Sequence, residues 1–239
     1  MPDNEIIKIH RSKTDSSYFF NTNADLIALI PPNPGRILDI GCASGKLGEE
    51  IIKAKSPQEY IGIEIVPEIA EIANIRLSKV LIGNAESILP TIDSESFDWV
   101  IMADVLEHTI NPWSVIADVS RILKPHGTVL ISIPNVRNLG VLFDLVYKGR
   151  WDYTSYGIMD QGHLRFFTRS TIKELLTKNK FKIKSCNSNS RNRWKKWRGK
   201  TIARILSIVI GKPSDYEEFI TVQWIILARK INSLGNNET

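Results

Sequence analysis

An α/β fold, with a parallel sheet covered by helices on both faces, is predicted by three features of the sequence. Between residues 35 and 135, short runs rich in β-branched residues alternate with segments of helical periodicity. Those runs are apolar almost throughout, as strands covered on both faces must be. The first of them empties into a glycine-containing turn that opens a helix.

Asn23 to Ile30 reads as an opening helix. RILDI (36–40) is the first strand, and a helix follows from Lys46 to Lys53. YIGIEI (60–65) is the second strand; the helix after it opens with Pro67, whose fixed φ and missing N–H suit a first turn. VLIG (80–83) and FDWVIMAD (97–104) continue the plan, and a helix after Pro112 leads to TVLISIP (128–134). Beyond Pro134 the rhythm breaks. Residues 135–167 carry Tyr147, Trp151, Tyr153, Tyr156, Phe166 and Phe167 without a clear period, which suggests an insertion packed over something else. Thr168 to Lys178 reads as a helix, with Thr171 and Glu174 at capping-box spacing. FKIKS (181–185) and FITVQWIILAR (219–229) are two closing strands, with a basic insertion, 191–212, between them.

The 239 residues are 43% hydrophobic and 24% charged, close to a soluble globular average, which excludes collagen-like, disulfide-stapled and wholly disordered chains. Cys42 and Cys186 are too few for a disulfide framework and have no zinc-type neighbours, so a reducing cytoplasm is the expected compartment. The N-terminus has no apolar core of signal-peptide length, and the nearest approach to a membrane span, Ile202 to Ile210, is broken by Arg204. Charge is unevenly spread. The net +5 hides 12 Lys and Arg, with no acid, between Leu175 and Ser214; the rest of the chain holds 19 basic against 26 acidic residues, a net of −7.

The turn Asp39-Ile-Gly-Cys-Ala-Ser-Gly45 carries the cofactor argument. Gly41 and Gly45 allow a tight bend and let a ligand approach without a Cβ in the way. The helix after it offers unpaired amides. Glu64 ends the second strand, at the distance where an acidic side chain takes both hydroxyls of a ribose. The alternative is a tight βα turn with no ligand.

ILDIGCASGKLG resembles the first motif of the class I S-adenosylmethionine-dependent methyltransferases, with Ala43 in place of the commonest glycine. GIEIVPEIAEIA is similar to their second motif, with Glu64 as the ribose acid, and GNAES to their third, where Asn84 stands for an Asp that commonly faces the adenine amine. FDWVIMADVLEHTINPW resembles the fourth, and ILKPHGTVLISIPN the turn and strand after it. The resemblance covers roughly residues 18–185. It implies a Rossmann-like sheet of seven strands, mostly parallel, whose last strand runs antiparallel. It implies S-adenosylmethionine as cofactor, held by Asp39, Gly41, Cys42, Ala43, Gly45, Glu64, Ile65, Asn84, Ala85, Asp104 and Val105. Tyr18 either closes over the methionine end or staples the first helix. The whole chain is expected to be one domain: a leader and helix (1–34), a cofactor-binding core (35–135), a substrate insertion (136–167) and a C-terminal part (168–239).

Methyl transfer asks for alignment of nucleophile, methyl and sulfur, and a base adds ~10²–10⁴-fold for a hydroxyl nucleophile. His10 lies in the leader and His126 in a Lys-Pro-His-Gly turn at the wrong end of the sheet, which leaves His108 and His163. His108 is either a base at the edge of the cofactor pocket or a loop histidine. The resemblance of the Leu-Glu-His segment to that of some quinone O-methyltransferases implies that Asp104, Glu107 and His108 could form part of a divalent-metal site, but a further ligand is lacking and no metal is expected. His163 and Arg165 belong to GRWDYTSYGIMDQGHLRFFTRST (149–171), which resembles the type 11 and type 23 methyltransferase subgroup associated with glycan and surface-polysaccharide biosynthesis. They either contact a hydroxyl- or phosphate-bearing sugar or lock the insertion to the sheet.

Within 191–212, a helix would place Lys196, Lys200 and Arg204 on one face and Ile202, Ile205, Leu206 and Val209 on another, with Trp194 and Trp197 near the boundary. An anionic membrane surface, a nucleic acid, or packing against the sheet or a second subunit each fits that pattern. Nucleic acid is the least expected, because the rest of the chain is acidic and shows no RNA-binding module. The expected function is O-methylation of a small-molecule or glycan-type acceptor by a cytoplasmic enzyme, with peripheral contact to the inner face of the membrane as one reading. The rivals are an RNA methyltransferase and a non-catalytic cofactor-binding protein.

Overall fold

A computed structural model of the chain describes residues 24–189, 197–209 and 216–231. Strands β1 (Arg36–Ile40), β2 (Glu59–Glu64), β3 (Lys79–Ile82), β4 (Phe97–Ala103) and β5 (Leu123–Pro134) run parallel. With β6 (Phe181–Ser188) and β7 (Gln223–Lys230) they form one seven-stranded sheet in the order β3-β2-β1-β4-β5-β7-β6. β7 is antiparallel to both β5 and β6, as the resemblance implied. The helices are α1 (Ala24–Leu29), α2 (Lys46–Lys55), α3 (Pro67–Asn74), α4 (Ala85–Ile88), α5 (Pro112–Ile122), α6 (Leu139–Lys148), α7 (Arg169–Lys178), α8 (Trp197–Val209) and α9 (Tyr216–Ile220).

Alternation along each strand divides the core in two. Leu38, Val100 and Ile131 face the side covered by Val115, Ile116, Val119 and Ile122 of α5 and by Ile172 and Leu176 of α7. Their neighbours Ile37, Ile101 and Leu130 face Leu26 of α1, Ile51 of α2 and Ala73 of α3. A strand buried on both faces has no polar side, so its sequence is a continuous apolar run. Each fully buried Ile or Leu contributes about 1.5–3 kcal/mol. Strand order reverses between β1 and β4, and the crevice outside the carboxyl ends of such a pair is where open α/β sheets take ligands.

Several elements depart from the sequence expectation. Residues 135–167 contain α6, with Asn138 Oδ1 accepting from the Gly140 N–H at 3.0 Å and a left-handed Gly149 ending it. The cap of α7 lies one turn earlier than Thr171/Glu174: Thr168 Oγ1 accepts from Thr171 N, and Thr171 Oγ1 accepts from Thr168 N. β5 begins at Leu123, paired with Phe97, rather than at residue 128. The expected strand 219–229 starts only at Gln223, because Tyr216–Ile220 is helical. Glu218 in that turn is buried between Arg137 and Arg169, which both pair with its carboxylate, while Phe219 and Ile220 pack against Leu139, Leu142 and Leu206. Three charges and five apolar side chains thus override the strand reading at Phe219 and Ile220.

The basic stretch is helical from Trp197, with Leu206 turned inward and the Arg204 guanidinium 5.2 Å from the Tyr216 ring centroid. Ile205, Ile208 and Val209 are exposed. Of the apolar face that the spacing predicts, Leu206 is packed while Ile205 and Val209 stay exposed. Residues 190–196 and 210–215 lie outside the described residues, and with them most of the basic cluster. Among the described residues no helix is long and apolar enough to cross a membrane.

Candidate active site

The site begins where β1 ends. Gly41 and Cys42 donate backbone N–H bonds to Ile63 O (2.8 and 3.0 Å), which ties the turn to β2, and Gly45 N donates to Cys42 O at 2.9 Å. Gly41 has φ of +70°, and a Cβ there would stand 2.8 Å from Val105 Cγ2. Gly45 has φ of +75° with Ala73 Cα at 3.1 Å from a Cβ. Both positions therefore need glycine. Ala43 sits at φ +49° with a Cβ, a conformation that costs about 1–2 kcal/mol.

Glu64 holds Ala43 there. Its Oε2 accepts from Ala43 N at 3.0 Å and its Oε1 from Val66 N at 2.9 Å. Burial raises the Glu64 pKa above the ordinary carboxylate value, against the backbone amides of Val66, Ala43 and Ile65 that lower it. Carboxylate oxygens have lone pairs beyond those two bonds. An acceptor so placed at the end of β2, beside a bend lined by backbone, fits the two hydroxyls of a ribose. The donor set thus suits a nucleoside cofactor.

Asp39 is buried beneath the turn, accepting from Tyr60 Oη at 2.8 Å. Burial pushes its pKa up to about 7; the Tyr60 hydrogen bond pulls it down and the Glu64 charge adds to the rise. The Cys42 sulfur turns inward, so close to Gly62 that a Cβ there would be 2.4 Å from Sγ; only the Cys42 backbone belongs to the turn. Ile65 packs with Ala43, Val66 and Ile69. Asn84 Oδ1 caps α4 by accepting from Glu86 N at 2.9 Å, and Ala85 opens that helix against the core.

Past β4, Asp104 has φ of +57° and is held by Ser132 Oγ at 3.2 Å and by Gln223 Nε2. Asn189 Nδ2 in turn donates to Gln223 Oε1 at 2.8 Å. Burial raises the Asp104 pKa to about 6, while Gln223 and then Ser132 lower it. This network of Ser132, Asn189 and Gln223 escaped the sequence reading, since polar residues near strand ends carry no local signal. Val105 packs on Gly41 and thereby joins the turn after β1 to the segment beyond β4.

That segment is the helical turn Leu106–His108. The Glu107 carbonyl accepts the N–H groups of Leu164 (2.7 Å) and Arg165 (3.0 Å), stitching the insertion to that turn. His108 Nδ1 lies 2.8 Å from Gly162 O, and His163 Nδ1 lies 2.9 Å from Ile158 O. A carbonyl only accepts, so each Nδ1 carries a proton and donates it. The two rings stand edge to face with centroids 4.8 Å apart. Glu107, His108 and His163 each offer one donor atom, and these lie within 4.8 Å of one another. The two histidines that the sequence set against each other are neighbours in one cluster. Phe166 adjoins His163, with Trp151 and Tyr153 beyond it. The Arg165 guanidinium donates to the Ile110 carbonyl and holds the loop before α5. Tyr18 lies outside the described residues.

A methyltransferase-domain family model of type 23 matches residues 16–185, well over half of the chain. An uncharacterised protein of Methanocaldococcus jannaschii is 38% identical over 99 residues, 41% of this chain and 44% of its own length. The ubiquinone biosynthesis O-methyltransferase of Xanthomonas campestris pv. campestris (strain B100) is 31% identical over 117 residues, 46% of this chain and 48% of its own length. The chain thus spans less than half the length of either relative. Among solved structures, an S-adenosylmethionine-dependent methyltransferase from Archaeoglobus fulgidus superposes with a TM-score of 0.61 at 17% identity, covering 90% of this chain and 97% of that one. That likeness shows the fold, and the family match adds the motifs from which this rim is built. The chain belongs to the methyltransferase-domain family, within the class I S-adenosylmethionine-dependent methyltransferases.

Proposed function

We propose that the chain transfers a methyl group to an oxygen of a small-molecule acceptor. The observation that carries this reading is the contiguity of two half-sites on one rim of the sheet. Val105 packs on Gly41 of the cofactor turn, and the residues directly after it bring His108 against His163. Relatives named ubiquinone biosynthesis O-methyltransferase support oxygen as the accepting atom.

Bound S-adenosylmethionine supplies a methyl group already activated by its sulfonium. The chain has to align the acceptor with it and take up the charge that the acceptor oxygen acquires. In this reading Glu64 holds the ribose hydroxyls, the amides of the Gly41–Gly45 turn carry the amino-acid end, and Asp104 and Val105 line the floor. Glu107, His108 and His163 receive the acceptor hydroxyl. Arg165 acts through the Ile110 carbonyl and keeps the wall of the acceptor side in place.

A glycan acceptor is the narrower form of the proposal. Trp151, Tyr153 and Phe166 lie beside His163, with Trp151 and Tyr153 exposed, as ring faces on which a sugar stacks. The exposed Ile205, Ile208 and Val209, within a segment rich in Lys and Arg, support peripheral docking on an anionic membrane. The test is incubation with methyl-labelled S-adenosylmethionine and a panel of phenols, catechols and nucleotide sugars. Label is expected in an ether product, with the rate falling ~10²–10⁴-fold in His163→Ala and S-adenosylhomocysteine affinity kept. Wild-type turnover by the His108→Ala/His163→Ala double variant overturns the assignment of the acceptor side.

A further inference from the structure

We infer that Glu107, His108 and His163 bind a divalent transition-metal ion of the zinc class, with a coordination position left open on the acceptor side. The open position rests on the acceptor reading above; the ion-binding itself does not.

The geometry has three parts. First, the donor atoms of the three residues fall within 4.8 Å of one another, and Glu107 and His163 are only 1% and 7% exposed. Tetrahedral ligand atoms around an ion with bonds of ~2.0–2.1 Å stand about 3.4 Å apart, so small side-chain rotations close the set. Second, both imidazoles are held by their far nitrogens. Nδ1 of His108 donates to the Gly162 carbonyl and Nδ1 of His163 to the Ile158 carbonyl. A backbone carbonyl on the far nitrogen is the arrangement that fixes the tautomer of metal-ligating histidines and raises the basicity of the other nitrogen. The cluster brings together two imidazoles and a carboxylate, each able to offer one ligand atom to an ion.

Third, the backbone holds the donors in place from both segments. The Glu107 carbonyl takes two amide bonds from Leu164 and Arg165, so the ligands on either side of the cluster are fixed to each other. Gly162 lies so close to His108 that a Cβ would come 3.1 Å from its Nδ1, and Asp160 Oδ1 holds the Gly162 amide at 2.7 Å. Two imidazoles and one carboxylate select borderline ions such as Zn²⁺ or Co²⁺ over Mg²⁺ and Ca²⁺, which prefer oxygen. Three protein ligands leave a fourth position for water or an acceptor oxygen. Asp104, which the sequence grouped with Glu107 and His108, is replaced in this set by His163, a residue from the distant insertion.

The test uses the full chain stripped with a chelator, titrated with ZnCl₂ and separately with CoCl₂. One ion per chain is expected, with visible ligand-field absorption from the cobalt form. Glu107→Gln and His163→Ala should each weaken Zn²⁺ at least ~100-fold while S-adenosylhomocysteine affinity stays unchanged. His163→Cys, which keeps a ligand atom, should retain the cobalt and add a thiolate-to-metal charge-transfer band. Absence of stoichiometric Zn²⁺ and Co²⁺ binding in a chain that still binds S-adenosylhomocysteine overturns the metal site and leaves the methyltransferase reading standing. Equal Zn²⁺ affinity in the wild type and His163→Ala overturns it too. Loss of S-adenosylhomocysteine binding by the wild type strikes the functional reading instead.

Discussion

Asp39→Asn is expected to stabilise the protein increasingly as pH rises. Asp39 is buried below the Gly41–Gly45 turn, and burial lifts its pKa from an ordinary 3.8 to about 7. A carboxyl with a raised pKa keeps its proton in the folded chain while the unfolded chain has already released it. Its stabilising effect is full below the unfolded value and disappears as pH rises through the folded one. At about 1.4 kcal/mol per pH unit, that window takes away about 4 kcal/mol by pH 8. Asparagine matches the protonated acid in shape, keeps an oxygen for the Tyr60 hydroxyl and does not titrate. Asp104, raised to about 6, and Glu64, also raised, slope in the same direction, but they remain in both proteins. Comparing the two chains therefore isolates position 39. Urea unfolding at pH 5 and pH 8 should show the variant's advantage growing by about 2–3 kcal/mol. Parallel stability curves across that range would refute the claim that a buried, protonated Asp39 underlies the turn.

Gly41→Val should abolish S-adenosylhomocysteine binding and cost about 2 kcal/mol or more, from a β-branched residue at φ +70° driven against Val105; a retained affinity by calorimetry counts against the close turn. Gly149→Ala is the control: its φ is +64° with nothing within 4 Å of a Cβ, so a loss of about 1 kcal/mol in urea with unchanged ligand affinity is expected. Glu64→Gln should weaken S-adenosylhomocysteine by ~10–100-fold, because a charged acceptor on the ribose becomes neutral; an unchanged affinity would remove Glu64 from the site. Glu218→Ala leaves Arg137 and Arg169 facing each other without their shared carboxylate and should cost about 3–5 kcal/mol, read as a drop in melting temperature.

The features legible in the sequence were local ones. The turn after β1, the apolar strands β1 to β4 and the acid at the end of β2 are each written within a few consecutive residues, and each lies where its pattern placed it, to within a residue at the strand ends. The antiparallel β7 came from family resemblance, since strand direction is decided by pairing partners far apart in the chain. Phe219 and Ile220 read as the start of the last strand; the pairing of Glu218 with two arginines from other elements, together with the packing of Phe219 and Ile220 on Leu139, Leu142 and Leu206, accompanies a helical turn there instead. Side-chain direction was not legible: the Cys42 sulfur is drawn into the core and Asn84 Oδ1 caps α4. The meeting of His108 with His163 had no sequence signal at all. It depends on amide bonds from the insertion to the Glu107 carbonyl, and backbone bonds leave no trace in side-chain identity.

The central claim is that the rim built by Gly41, Glu64 and Asp104 holds S-adenosylmethionine, and calorimetric titration of the full chain with S-adenosylhomocysteine tests it most directly. Saturable binding at one site per chain, weakened by Glu64→Gln and lost in Gly41→Val, is the predicted result. No binding up to millimolar ligand, from a chain whose unfolding transition is intact, would contradict it.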